Sequence, residues 1–174
     1  MENRGRFQWV ADVMNIRPDE HILEIGCGVG FAVQAILPLL NTGAITAIDR
    51  SPAAIKKAIQ RNEFSVQNGN AEFIQTELLH LPKRSHSFDK ILCSNVNLFW
   101  TKTSISKESE IIKSVLRTDG QLYLFYGPLV SHGWKKTASA ITLNLQREKF
   151  RVNDPEYNPH LNCFYLIASY ITNS

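Results

Sequence analysis

The sequence is poor in cysteine. Its three cysteines, Cys27, Cys93 and Cys163, are widely spaced, and no two of them form a Cys-x-x-Cys pair. A disulfide framework needs paired cysteines and a structural zinc site needs closely spaced ligands, so we expect neither disulfide nor metal. Cys93 and Cys163 lie in apolar runs and are expected to be small buried core residues.

The sequence also lacks a long uninterrupted apolar run. The richest stretch, residues 25–48, is broken by several glycines and by Gln34, Pro38 and Asn41, which argues against a membrane span. The first ten residues are polar and lack the apolar centre of a signal peptide. We therefore expect a soluble, cytoplasmic protein without a membrane partner.

No charge of one sign dominates. Lysine and arginine total 19 against 16 acidic residues, and the densest basic groups are isolated pairs such as Lys56-Lys57 and Lys135-Lys136. A nucleic-acid-binding protein usually concentrates basic residues on one face or segment. A nucleic-acid partner is therefore not expected.

Repeats and low-complexity segments are absent, and 44% of the 174 residues are hydrophobic. This length suits one domain and is too short for two of ordinary size. We predict a single domain over residues 1–174, with residues 1–18 forming an N-terminal helix and cap.

Strand and helix patterns alternate along the chain. This order predicts an α/β fold, a doubly wound and mostly parallel seven-stranded sheet with helices on both faces. The last two strands lack a helix between them, which predicts a hairpin with one antiparallel edge strand and a loop over residues 153–162. An exposed apolar edge at residues 164–171 would allow a homodimer, so we expect a monomer or homodimer. The helical patterns cover residues 6–14, 31–40, 52–59, 104–116 and 137–149, and the strand patterns cover residues 21–25, 44–48, 71–75, 87–93, 121–126, 150–152 and 163–170.

The most informative motif is a glycine-rich turn, Glu24-Ile-Gly-Cys-Gly-Val-Gly30, between the first strand and the first sheet-covering helix. Glycines permit a tight turn and let a ligand approach the backbone. Asp49 ends the next strand, where a carboxylate can accept hydrogen bonds from both hydroxyls of a ribose. Together these features indicate a nucleoside-containing ligand.

The spacing of the glycines bears on which nucleoside binds. A dinucleotide fingerprint has its third glycine one position later, where this chain has Phe31. A carboxylate at Glu24 would oppose a pyrophosphate but suits a cationic ligand. S-adenosylmethionine carries a sulfonium and an ammonium group, so it is favoured over NAD, and an NAD-dependent oxidoreductase is the weaker alternative.

These residues resemble the class I S-adenosylmethionine-dependent methyltransferases. The E-x-G-x-G-x-G turn and the acid after the next strand are similar to that family's pattern, as are Leu81-Pro82 with Ser87-Phe88-Asp89 and the turn at residues 115–120. The resemblance covers roughly residues 20–126 and implies a Rossmann-like methyltransferase fold. Glu77 in place of the commoner Asp, and Thr118-Asp119 in place of Pro-Gly, depart from it.

The resemblance implies a role for each matching position. The glycine turn would face the methionine part of the cofactor, Asp49 the ribose, and the residues after the third strand the adenine. Counting from Leu81-Pro82 places the adenine residues at Glu77 and Leu78, whereas counting from Gly69 would give Asn70; we prefer Glu77. The cofactor residues are then Glu24, Gly26, Cys27, Gly28, Gly30, Asp49, Arg50, Glu77, Leu78, Ser94, Asn95 and Val96.

Methyl transfer from a sulfonium needs alignment of the acceptor in line with the breaking bond, so no catalytic triad is required. Weak catalytic candidates are Asn97, Tyr126 and His132, and the substrate candidates are Phe99, Trp100 and Trp134, all near the carboxyl edge of the sheet. The cap is expected from the N-terminal helix and from residues 98–104 and 127–136.

No Asn-Pro-Pro-Tyr or Asp-Pro-Pro-Tyr follows the fourth strand, which argues against methylation of the exocyclic amine of adenine. No Pro-Cys pair is present, which argues against attack on a pyrimidine ring carbon by a cysteine. The expected acceptor is a small molecule. An open site would also admit a protein or a tRNA, and a non-catalytic cofactor-binding module remains an alternative.

Overall fold

A computed structural model describes residues 2–81, 87–127 and 133–170, with a mixed sheet at its centre. Five strands, β1 to β5, pair in parallel, and β8 runs antiparallel to β5, β6 and β7. The strands follow the order β3-β2-β1-β4-β5-β8-β6, and the short β7 pairs with β8 beside this path. The strands are β1 His21–Ile25, β2 Ala44–Asp49, β3 Ala71–Gln75, β4 Phe88–Ser94, β5 Leu116–Tyr126, β6 Phe150–Val152, β7 Glu156–Asn158 and β8 Cys163–Tyr170.

Helices connect the parallel strands. Short 3-10 helices at Leu37–Leu39 and Leu78–His80 supplement them. The α-helices are α1 Glu2–Met14, α2 Phe31–Ile36, α3 Pro52–Arg61, α4 Glu63–Gln67, α5 Leu98–Thr101, α6 Ser106–Val115 and α7 Trp134–Arg147.

The core has two parts, one on each face of the sheet. Successive strand residues point to opposite faces, so Leu23 packs in one part and Ile22 in the other. The first part holds residues of α5, α6 and α7, and the second holds residues of α1, α2 and α3. Helices therefore cover both faces, and the predicted doubly wound α/β class is confirmed.

Some predicted boundaries differ from the structure. The helix predicted over residues 31–40 ends at Ile36 and continues as a 3-10 turn, because Pro38 cannot donate the backbone hydrogen bond of an α-helix. The predicted loop at residues 153–162 contains β7, and the segment at residues 98–104, expected as part of the cap, contains α5.

The proposed dimer edge is wrong for the part of it that the structure describes. The hairpin and its single antiparallel strand are present, but β8 lies between β5 and β6. Its backbone groups are already paired on both sides, so this strand offers no free edge to a second subunit.

Candidate functional site

The glycine-rich turn packs tightly on two sides and is open in the middle. Gly26, Gly28 and Gly30 all have positive φ, at 74°, 54° and 78°. A Cβ at Gly26 would lie 2.9 Å from Val96 Cγ2, and one at Gly30 would lie 2.7 Å from Asn62 Nδ2. A Cβ at Gly28 would have no atom within 4 Å. The turn is thus held at both ends, while Gly28 borders open space.

Asp49 braces this turn from the end of β2. Its Oδ2 accepts from the Gly28 N–H at 2.9 Å, and its Oδ1 accepts from the Ser51 N–H at 2.9 Å. Each carboxylate oxygen can accept a further hydrogen bond. The side chain can therefore fix the turn and still bind two neighbouring hydroxyls.

Glu24 is a buried carboxyl directly before the turn. It is 2% exposed, and its Oε2 makes no hydrogen bond within the described residues. Burial, followed by the negative charge of Asp49, raises the pKa of Glu24 to about 8. A buried carboxylate without a partner is costly, so a cation placed beside it would be strongly favoured.

A cavity of about 500 Å³ opens at the carboxyl ends of β1, β2 and β4. The glycine turn and Asp49 form one side of it, and α5 forms another. Seven of the predicted cofactor residues line it: Gly26, Asp49, Arg50, Glu77, Leu78, Asn95 and Val96.

The other predicted cofactor residues lie around the cavity, not in its lining. Glu24, Gly28 and Gly30 belong to the glycine turn and the strand before it. Cys27 is buried, and this burial raises the pKa of its thiol. Ser94 lines a neighbouring cleft.

The two candidate positions for the adenine-binding residues lie at opposite ends of β3. Asn70 immediately precedes this strand and accepts through its carbonyl from the Ile45 N–H at 2.9 Å, at the amino end of the sheet. Glu77 and Leu78 follow the strand and line the cavity. This arrangement favours the preferred pair over Asn70.

An ion pair that the sequence analysis missed lines the wall formed by α5 and α6. Lys102 donates to the Glu108 carboxylate, and both residues border the cavity. Burial acts to raise the pKa of Glu108, but the hydrogen bond and charge of Lys102 outweigh it, and the pKa is lowered. Nothing in the local spacing of these residues indicated a site.

Two asparagines hold the walls from outside the cavity. Asn144 of α7 donates through Nδ2 to Phe99 O at 3.0 Å and to Lys102 O at 3.2 Å. Asn62 after α3 donates to Gly30 O at 3.2 Å and to Ala58 O at 2.9 Å. Each asparagine bonds to a segment that is distant in sequence, so no local sequence pattern identified either residue.

Asn95 stands where β4 ends. It adopts a positive φ of 57°, and its N–H donates to Phe125 O at 2.8 Å. Its Oδ1 accepts from the Gly127 N–H at 3.0 Å, which ties β4 to the end of β5. Asn95 lines both the cavity and the neighbouring cleft.

The aromatic candidates pack in the core or against it. Phe99 is fully buried and Tyr126 is 1% exposed, and neither belongs to the lining of the 500 Å³ cavity. The Tyr126 hydroxyl donates to Val96 O at 2.7 Å, and its role on a substrate stays a prediction.

The remaining candidates divide by position. Asn97 lines the cavity. Trp100 packs beside the core with its Nε1 buried and without a partner in the described residues, and Trp134 stacks on Tyr157 at a centroid distance of 5.0 Å. His132, with part of the predicted 127–136 cap, lies outside the described residues.

Comparison with known proteins agrees with this geometry. The profile of a family described as "Methyltransferase domain" matches residues 22–120, more than half of the chain. The chain is 35% identical over 105 residues to the uncharacterized methyltransferase YodH of Bacillus subtilis, covering 60% of this chain and 42% of that protein. It is 37% identical over 110 residues to the malonyl-[acyl-carrier protein] O-methyltransferase of a Paenibacillus species, covering 62% and 39%.

The fold also matches a solved structure. A S-adenosylmethionine-dependent methyltransferase from Aquifex aeolicus superposes with a TM-score of 0.76 at 19% identity, covering 93% of this chain and 88% of that one. The chain spans about two fifths of the length of the two sequence relatives, 42% and 39%.

The chain therefore belongs to the class I S-adenosylmethionine-dependent methyltransferase family.

Within the described ranges, no helix combines the length and apolar character that crossing a bilayer requires.

Proposed function

We propose that this chain binds S-adenosylmethionine in the 500 Å³ cavity and transfers its methyl group to a small-molecule acceptor. The observation that carries the proposal is the buried Glu24 carboxyl with its unpartnered oxygen beside an open glycine turn. A cationic nucleoside ligand would compensate that carboxyl. The proposal includes one domain over residues 1–174, with residues 1–18 as a cap.

The residues around the cavity fit the parts of this cofactor. The glycine turn above Glu24 would take the cationic amino-acid part, and Asp49 would accept from the ribose hydroxyls, with Arg50 beside it. Glu77 and Leu78 would hold the adenine, one by a polar contact and one by an apolar contact. Val96 would close the site next to Gly26.

When bound, S-adenosylmethionine supplies an activated methyl group on a sulfonium. The chain's own residues would contribute orientation, since an acceptor held in line with that bond can gain roughly 7–11 kcal/mol from positioning alone. Asn95 and Asn97 stand at the carboxyl end of β4, where they can orient an acceptor. A base is needed only if the acceptor must first lose a proton.

A small-molecule acceptor is supported by the weak net charge of +3. One relative is named for the methylation of a malonyl group carried on an acyl-carrier protein. The same charge argues against a nucleic-acid acceptor. A cytoplasmic location and a monomeric or homodimeric state complete the proposal.

Labelled methyl transfer into a fractionated cell extract tests the acceptor class. The purified protein is incubated with methyl-labelled S-adenosylmethionine and separate small-molecule, protein and RNA fractions. We expect label in the small-molecule fraction, loss of it with Asp49→Ala, and no change with Arg151→Gln, an exposed residue on β6. Label in protein or RNA instead contradicts the small-molecule acceptor, and label in no fraction supports a non-catalytic binding module.

A further inference from the structure

Asn95 is held in a strained conformation at the point where β4 ends. Its φ of 57° lies in the left-handed region, which residues with a side chain adopt at a cost in stability. Such strain persists only where the surrounding contacts fix it, and it is concentrated at active sites. Asn95 is therefore a candidate for a direct role in the site.

Contacts on both sides hold Asn95 and the residue after it in place. The Asn95 N–H donates to Phe125 O at 2.8 Å, and Val96 O accepts from the Tyr126 hydroxyl at 2.7 Å. A Cβ at Gly26 would lie only 2.9 Å from Val96 Cγ2, so Val96 packs directly against the glycine turn. The end of β4 is thus fixed beside the turn where we propose that the cofactor binds.

One hydrogen bond sets the orientation of the Asn95 side-chain amide. Its Oδ1 accepts from the Gly127 N–H at 3.0 Å, and a backbone N–H can pair only with the oxygen of an amide. Nδ2 is therefore the free end of the side chain. It bonds to none of the described residues, and it is not among their buried unpartnered atoms. Its two N–H donors remain available to a ligand.

The cavity of about 500 Å³ is the space in which a ligand can meet these donors. Asn95 lines it together with Gly26 and Val96. The cleft on the other side of Asn95 has no room even for a water molecule. A molecule that bonds to Nδ2 must therefore lie in the cavity, beside the glycine turn and the proposed cofactor.

A hydrogen-bond donor at this position discriminates between the atoms that can accept a methyl group. A neutral amine nitrogen has a single lone pair, and that pair must point at the methyl group for attack. An oxygen has a second lone pair, so it can accept a hydrogen bond from Asn95 and attack at the same time. Sulfur is only a weak hydrogen-bond acceptor. The Asn95 donors therefore favour an oxygen nucleophile.

We propose that Asn95 Nδ2 donates to the atom that is methylated, and that this atom is an oxygen of a hydroxyl or carboxyl group. The inference rests on the proposed function and specifies its chemistry as O-methylation. A lone pair of the oxygen forms the O–CH₃ bond while the S–CH₃ bond breaks, and the electron pair of the broken bond stays on the sulfur. A carboxylate has no proton to lose, and a hydroxyl releases its proton to water.

The chemical shift of the transferred methyl group identifies the acceptor atom directly. The protein is incubated with methyl-labelled S-adenosylmethionine and the small-molecule fraction of a cell extract. Carbon NMR of the product then distinguishes O–CH₃ from N–CH₃, S–CH₃ and C–CH₃. We expect O–CH₃. A methyl group on nitrogen, sulfur or carbon overturns the inference and leaves the proposed function standing.

Variants of Asn95 separate its donors from its structural contact. Asn95→Asp keeps an oxygen for the Gly127 N–H and removes both donors, so methyl transfer should fall at least about tenfold, while S-adenosylhomocysteine affinity and thermal unfolding change much less. Asn95→Gly suits the positive φ and should lose the same activity without the strain. Asn153→Asp makes the same chemical change at an exposed position and should leave methyl transfer unchanged.

Wild-type rates of methyl transfer in Asn95→Asp also overturn the inference. If the extract contains no acceptor that becomes labelled, proton NMR of the Asn95 side-chain amide in the S-adenosylhomocysteine complex, titrated with butyrate, decides instead. A saturable downfield shift of these protons supports the donor role, and no shift overturns it. Failure of the wild-type protein to bind S-adenosylhomocysteine would contradict the proposed function, and the butyrate titration of the free protein would then decide the role of Asn95 separately.

Discussion

The protonation state of the Glu24 carboxyl is expected to affect both the stability of the protein and the binding of a cationic ligand. Its pKa is raised from 4.5 to about 8 by burial and by Asp49, so near neutral pH the carboxyl of the ligand-free protein is mostly protonated. Because the folded pKa is the higher one, its contribution to stability is full below pH 4.5 and is lost as the pH rises to about 8. A cationic ligand would lower the pKa of Glu24, since it favours the ionised carboxylate.

We therefore predict that S-adenosylmethionine binding releases a proton from Glu24 below pH 8. Affinity should rise with pH toward 8, and the binding heat should depend on the ionisation enthalpy of the buffer. Titration calorimetry in two buffers at several pH values measures both effects.

Glu24→Gln is the control for this linkage, because it keeps the shape and cannot ionise. It should show weaker, less pH-dependent binding, and its free energy of unfolding should not fall between pH 4.5 and 8 as that of the wild type does. An unchanged pH dependence in this variant would show that another group is responsible.

Gly30 and Gly28 make a matched pair within the glycine turn. Both have positive φ, which costs a non-glycine residue roughly 1–2 kcal/mol. Only Gly30→Ala would also press on Asn62 and Ala58, so it should lower the free energy of unfolding by more than Gly28→Ala. Gly28→Ala should instead weaken S-adenosylhomocysteine binding, since its methyl group would enter the open space at the turn where we propose that the amino-acid part of the ligand lies. If chemical denaturation shows that Gly28→Ala and Gly30→Ala lower the free energy of unfolding equally, the separate roles of the two glycines are contradicted.

At the scale of elements, local signals predicted the regular structure well. The helical pattern predicted from residue 52 matches the start of α3 at Pro52, and Ser51 caps this helix, with its Oγ accepting from the Ala54 N–H at 3.2 Å. The four-residue α5 and three-residue β7 are too short to show a period. They depend on partners elsewhere, α5 on Asn144 and β7 on β8.

Helix α5 should be sensitive to Asn144→Ala. The substitution leaves Phe99 O and Lys102 O without their donor, which costs about 1–3 kcal/mol. The free energy of unfolding should fall by this order, and S-adenosylhomocysteine affinity should weaken severalfold because α5 forms a cavity wall.

Leu143→Ala is the control on the same helix. Leu143 is 55% exposed, so its truncation should change stability by no more than about 0.5 kcal/mol. If the two variants unfold alike and bind alike, Asn144 does not hold the wall.

For the whole molecule, the alternation of strands and helices predicted the fold class, and the glycine spacing with Asp49 predicted the cofactor side of the site. Both signals are local in sequence, and the parallel sheet brings them together. The acceptor side was not predictable in this way. Asn144 meets Phe99 and Lys102 only after α7 packs beside α5, and the position of β8 depends on strand pairing that no local pattern encodes.

The most direct test of the account is calorimetric titration of the purified protein with S-adenosylhomocysteine, beside NAD and the Asp49→Ala variant. The account predicts saturable binding of S-adenosylhomocysteine to the wild-type protein, no binding of NAD, and loss of binding in the variant. Binding of NAD without S-adenosylhomocysteine, or undiminished S-adenosylhomocysteine affinity in Asp49→Ala, would contradict it.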